Sequence, residues 1–127
     1  MKELKFETIK WSMAIGTNEG YNSENPLYKS LDEVVKIISK IADDVMNETD
    51  IYISTVVNDS RVIYKTEWGC PIDGEKTISI SGICNDKFAN VNDYLESLKL
   101  FTKKLKEELK QSTVSLEIVP ATLMYFE

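Results

Sequence analysis

The sequence predicts an α+β domain, a two-layer sandwich in which two helices cover one face of a mostly antiparallel five-stranded sheet, in the order β-α-β-β-β-α-β. Two periodicities carry this reading. Apolar residues alternate with polar ones around residues 4–15, 51–57, 62–68, 78–84 and 114–118, as in half-buried strands. They recur at intervals of three and four over 31–45 and 91–109, as on one face of a helix. With 127 residues and 43% hydrophobic content the chain can close one core, so residues 1–127 read as a single domain.

In the first strand Ile9, Trp11, Met13 and Ile15 share one face and Lys10, Ser12 and Ala14 the other. Leu4 and Phe6 have the opposite parity, which calls for a bulge near Glu7 and Thr8 or for an overhanging strand end. Gly16 opens a polar, Asn-rich loop. Helix one starts either at Pro26, a favoured first helical residue, or at Leu31, where Ser30 and Glu33 form a capping box. Its inner stripe is Leu31, Val34, Val35, Ile38, Ile41, Ala42 and Val45.

Ile51, Ile53, Thr55 and Val57 form the second strand, Asn58-Asp59-Ser60 a turn, and Val62, Tyr64, Thr66 and Trp68 the inner face of a third strand. A connection through Gly69-Cys70-Pro71-Ile72-Asp73-Gly74 reaches a fourth strand, with Ile78, Ile80, Gly82 and Cys84 inside and Thr77, Ser79 and Ser81 outside. Asn90 caps helix two, whose stripe is Val91, Tyr94, Leu95, Leu98, Phe101, Leu105 and Leu109. Val114, Leu116 and Ile118 make a fifth strand, Pro120 marks a bend or an edge, and Leu123 to Phe126 continue the strand or pack as an apolar tail. This order resembles the split-βαβ arrangement of ferredoxin-like folds with one additional strand, an architecture that hosts many unrelated functions.

Histidine is absent, which excludes histidine triads, histidine proton shuttles and His-ligated zinc. Cys70 and Cys84 are too few ligands for a structural zinc site and read as free thiols of a reducing compartment. Cys70 lies in a turn with no group beside it to activate it, and Cys84 reads as a small core residue. The glycines at 16 and 20 match neither a phosphate loop nor a dinucleotide fingerprint. The carboxylates and amides of the 17–25 loop fail the EF-hand spacing and read as a solvated loop. No catalytic residue, metal or cofactor is therefore assigned. A formal charge of −6, from 15 basic and 21 acidic residues, repels a phosphate backbone and disfavours general nucleic-acid binding. No apolar run approaches the roughly 18 residues of a membrane helix, and the charged start offers no secretory signal, so a cytoplasmic location without membrane contact is expected.

Trp11 and Trp68 fall on the inner parity and are assigned to the core. The opposite parity places Ser12, Ala14, Tyr52, Ser54, Arg61, Lys65, Ser79, Ser81, Ser115 and Glu117 on the open sheet face. Arg61, the single arginine, either offers a bidentate fork to a carboxylate or phosphate, or pairs with Glu67 or Glu117. If the strands between 51 and 84 form a simple meander, the loops 16–25 and 85–90 meet at one end. The candidate ligand-binding set is then Arg61, Tyr52, Lys65, Ser79 and Ser81 on the face, with Asn18, Glu19, Tyr21, Asn85 and Asp86 in the loops.

These features point to a small acidic, non-catalytic binding or inhibitor protein, immunity-like, acting through protein–protein contact with a basic partner. A small-ligand-binding domain using the open face or the two loops is the alternative. An enzyme dependent on carboxylates or on Cys70, with Glu67 and Lys65 as the nearest reactive pair, is the third reading. A homodimer is expected, through the polar sheet face or an edge strand.

Overall fold

The computed structural model describes residues 1–17 and 29–127. Six main elements follow one another: β1 (Glu3–Gly16), α1 (Leu31–Thr49), β2 (Val56–Val62), β3 (Glu75–Ile83), α2 (Val91–Glu108) and β4 (Glu117–Phe126). A single 3-10 turn, Thr66–Trp68, lies between β2 and β3. The strands form one four-stranded sheet in the order β2-β3-β1-β4, antiparallel throughout. The α+β class holds, and the split-βαβ arrangement appears without the additional strand.

The missing strand has a local cause. Asn58, Asp59 and Ser60, read as a turn, lie inside β2 and pair with Ser79, Ile78 and Thr77. The reversal occurs instead over the connection between Val62 and Glu75, which pair with each other, and this connection closes on β3 through Asp73-Gly74, with φ of 70° and 81°. Left-handed backbone at Asp73 and Gly74, with the Gly74 amide donating to the Pro71 carbonyl at 3.1 Å, makes the final turn into β3, and Asp and Gly tolerate that conformation. A Cβ on Gly74 would come within 3.0 Å of the Val62 carbonyl oxygen. Residues 51–55 lie outside the ladder, although Ile53 is fully buried. Residues 63–74 become the β2–β3 connection, and Trp68, expected in the core, is 73% exposed there.

β1 keeps an unbroken register with β4 from Glu3↔Phe126 to Ser12↔Glu117, and with β3 from Lys10↔Ile83 to Gly16↔Thr77. There is no bulge at Glu7 and Thr8; the parity change at Leu4 and Phe6 reflects an overhang, where β1 has left β3 and pairs with β4 alone. Leu123 to Phe126 are strand, whereas Val114 and Leu116 precede it. Because β1 and β3 run in opposite directions, the loops that follow them leave from opposite ends of the sheet. The expected meeting of 16–25 with 85–90 rested on β1 and β3 running in the same direction, which they do not, and Asn18, Glu19 and Tyr21 lie outside the described residues.

Both helices start where capping chemistry places them. Ser30 accepts the Glu33 amide and Glu33 reaches back to the Ser30 amide; Asn90 Oδ1 accepts the Asp93 amide at 2.9 Å. Their stripes, Val34, Ile38, Ile41, Ala42 and Val45 on α1 and Tyr94, Leu98, Phe101 and Leu105 on α2, close over Trp11, Met13, Ile15, Ile78 and Ile80 of the sheet. Val35 faces outward instead. Gly82, opposite Trp11, makes room for the indole: a Cβ there would lie 2.7 Å from Trp11 Nε1. Among the described residues no helix is long and apolar enough to cross a membrane.

Candidate functional site

At the end of the sheet where β1 finishes, three stretches of chain converge: the start of α1, the β2–β3 hairpin and the segment after α2. A cavity of about 470 Å³ opens between them, lined by Thr17, Lys29, Ser30 and Glu33 on one side and by Asp59, Ser60, Arg61, Lys76 and Thr77 on the other. The Lys29 amide donates to the Thr17 carbonyl at 3.3 Å, and the Ser60 and Thr77 hydroxyls share a 2.7 Å hydrogen bond. Gly16 is bare for a reason: a Cβ would lie 2.5 Å from Gln111 Oε1 and 3.6 Å from Glu75 Oε1, so an amide and a carboxylate meet over its backbone.

Arg61 and Lys76 face each other across β2 and β3, which brings two cations to one cross-strand position at the rim of the cavity. The Arg61 Nη1 donates to the Asp73 carbonyl at 2.9 Å, which ties the guanidinium to the hairpin turn. Neither Glu67 nor Glu117 takes the place expected for its partner. Glu33, Asp59 and Glu75 supply negative charge at the same end, so the cavity presents both signs to a ligand.

A second cleft, of about 380 Å³, lies at the opposite end, where α1 finishes and the 84–90 segment crosses. Met46, Asp50, Ile51, Tyr52, Ile83, Asn85, Phe88 and Tyr94 line it. It shares Asp50, Ile51, Phe88 and Ala89 with a polar extension that includes Asp86, Lys87, Asn90 and Asp93. At its base Trp11 Nε1 donates to the Tyr94 hydroxyl at 2.8 Å. Burial, the dominant cause, pushes the Tyr94 phenol up to about 12, and also raises the Cys84 thiol.

The seven candidate residues in the described part of the chain are thus dispersed. Arg61 sits at the first end, on the parity of Ile78 and Ile80 and so on the helix side of the sheet; the misplaced turn at 58–60 had inverted its face. Tyr52, expected on the open face, borders the second cleft with Asn85, and Asp86 adjoins it. Ser79 and Ser81 do lie on the open face, in a shallow hollow with Ser12, Ala14, Ser115 and Glu117. Lys65 projects from the β2–β3 connection, its Nζ 5.9 Å from the Trp68 ring centre. Cys70 is half-buried, with its sulfur 3.5 Å from the Tyr64 amide. Lys29, Glu33, Asp59, Glu75, Lys76 and Gln111 were not read as site residues, Glu33 having been assigned to a helix cap and Asp59 to a turn.

The SAM lyase family model matches residues 6–127 of the chain. No curated protein matches it. Among solved structures, a phage SAM lyase in its apo state is 17% identical, with 95% of this chain and 90% of that one covered and a TM-score of 0.58. A phage SAM lyase in complex with S-methyl-5'-thioadenosine is 18% identical, with 93% and 90% covered and a TM-score of 0.55. These likenesses show a shared fold. The family match overturns the expected non-catalytic inhibitor, because its members are named for an enzymatic activity. Matched over all but its first few residues, the chain belongs to the SAM lyase family.

Proposed function

We propose that the chain cleaves S-adenosylmethionine without water, releasing S-methyl-5'-thioadenosine, and that it does so at the end of the sheet that holds Arg61, Lys76 and Glu75. The family match over residues 6–127 carries the activity. What supports the location is charge: the substrate bears a carboxylate, an ammonium and a sulfonium, and this cavity presents cations and carboxylates together.

A sulfonium is its own leaving group, since the electron pair of the breaking C–S bond goes to sulfur and leaves a neutral thioether. When the substrate's own carboxylate closes on the γ carbon, a C–O bond forms as the C–S bond breaks and a lactone remains. No proton has to move, which suits a chain without histidine. Opposite charges vanish on the way to the transition state, so removing water from both favours the step. Lys29, Arg61 and Lys76 orient the carboxylate, while Glu33, Asp59 and Glu75 receive the ammonium and the sulfonium.

The test is incubation of the purified chain with S-adenosylmethionine in ¹⁸O-labelled water, with products followed by mass spectrometry. The expected result is the thioether together with a four-carbon product that is unlabelled at early times. Arg61→Gln and Glu75→Gln should each lower kcat/KM by about tenfold or more, the scale of one lost charge-assisted contact. A folded chain that releases no thioether would sink the activity; two fully active variants would sink the location.

A further inference from the structure

We infer that the cleft between the end of α1 and the 84–90 segment binds a small organic cation that has an apolar body and no carboxylate. This site is separate from the proposed catalytic end. The lining of Met46, Ile51, Tyr52 and Phe88 gives an apolar body something to pack on, and Tyr52 and Phe88 are 46% and 71% exposed, so their rings are accessible to a cation. The negative end of the α1 dipole points here, and the last turn of that helix carries no basic residue. Asp50 borders the cleft, and Asp86 Oδ1 in its polar extension is buried with no hydrogen-bond partner. A buried carboxylate oxygen without a donor is costly unless a ligand supplies one or brings positive charge.

The cation that lines the polar extension is already engaged. Lys87 pairs with Glu127 and lies 5.7 Å and 5.4 Å from the Phe88 and Tyr125 ring centres. The amide that Asn90 and the first turn of α2 could offer an anion is taken by the cap, and Asp93 stands beside it. A ligand carboxylate would therefore meet Asp50, Asp86 and Asp93, which is why the ligand class excludes one and differs from the proposed substrate.

Choline and its neutral isostere 3,3-dimethylbutan-1-ol are suitable probes, titrated into the ¹⁵N-labelled chain. Choline should shift the amides of residues 50–54 and 83–89 in a saturable way, with the alcohol binding at least about tenfold more weakly. Asp86→Asn and Phe88→Ala, with native spectra elsewhere, should each weaken choline by about tenfold or less. Equal shifts from both probes, no saturable shift, or unchanged affinity in both variants would overturn the inference. Cleavage of S-adenosylmethionine measured at saturating choline separates the two sites. An unchanged KM supports a second site, whereas competitive inhibition would place the substrate in this cleft and overturn it.

Discussion

Trp11 and Tyr94 stand 83 positions apart, yet the indole N–H of one is satisfied by the hydroxyl of the other inside the core. Each was legible as an inner residue from its own stripe; the hydrogen bond between them was not, because periodicity assigns a face and not a partner. That contact has a measurable signature. Burial raises the Tyr94 phenol from 10.0 to about 12, while the donated indole hydrogen bond opposes the rise. Between those values the folded chain holds a proton that the unfolded chain has lost. The associated stability is therefore fully present below pH 10 and disappears as pH rises through 12, amounting to about 3 kcal/mol. Urea unfolding midpoints for the native chain should fall across this window more steeply than those of Tyr94→Phe. At neutral pH that variant should cost about 1–3 kcal/mol, because the Trp11 N–H loses its acceptor. Parallel pH profiles for the two proteins would refute the assignment.

The helices were readable from sequence because period and cap agreed: Ser30 with Glu33 and Asn90 with Asp93 start them where the apolar stripes begin. The hairpin was not, because two turn signals competed. Asn58-Asp59-Ser60 is polar but stays in the ladder, paired with Ser79, Ile78 and Thr77, while Asp73-Gly74 takes the left-handed backbone. The segment 51–55 alternates because Ile53 packs under the helices, and burial on one side does not require a ladder partner. One misplaced turn then moved Arg61 to the wrong face and hid the cavity it lines. Gly74→Val tests the observed hairpin. A branched side chain at φ 81° and a Cβ 3.0 Å from the Val62 carbonyl should cost about 1–3 kcal/mol in chemical denaturation. Asn58→Gly should not restore a turn at 58–60. If Gly74→Val were neutral and Asn58→Gly stabilising by a similar amount, the hairpin would be at the wrong pair.

At the scale of the whole molecule, the enzymatic class was illegible because no local motif carries it: the described residues around the cavity come from positions 16–17, 29–33, 59–61, 75–78 and 111, and a net charge of −6 says nothing about where charge converges. The surface that the sheet leaves open was legible. Ser12, Ala14, Ser79 and Ser81 line a face that neither α1 nor α2 covers, and among the described residues β2 and β4 are the edges of the sheet. On the β2 edge, Val56, which pairs with Ser81 of that face, is 59% exposed. We propose that a second copy covers this face, since small side chains permit close approach and unpaired edges favour pairing. Removing residues 121–127 cannot test it, because that stretch is the ladder partner of β1 from Glu3 to Thr8. A bulky charge on the open face can. Light scattering of the native chain should return a multiple of 14.5 kDa, twice that mass for the expected symmetric dimer. Ala14→Arg and Ser81→Arg should each return the single-chain mass while keeping the native circular dichroism. A native chain that stays at 14.5 kDa from micromolar to millimolar concentration would show that the face is left to solvent.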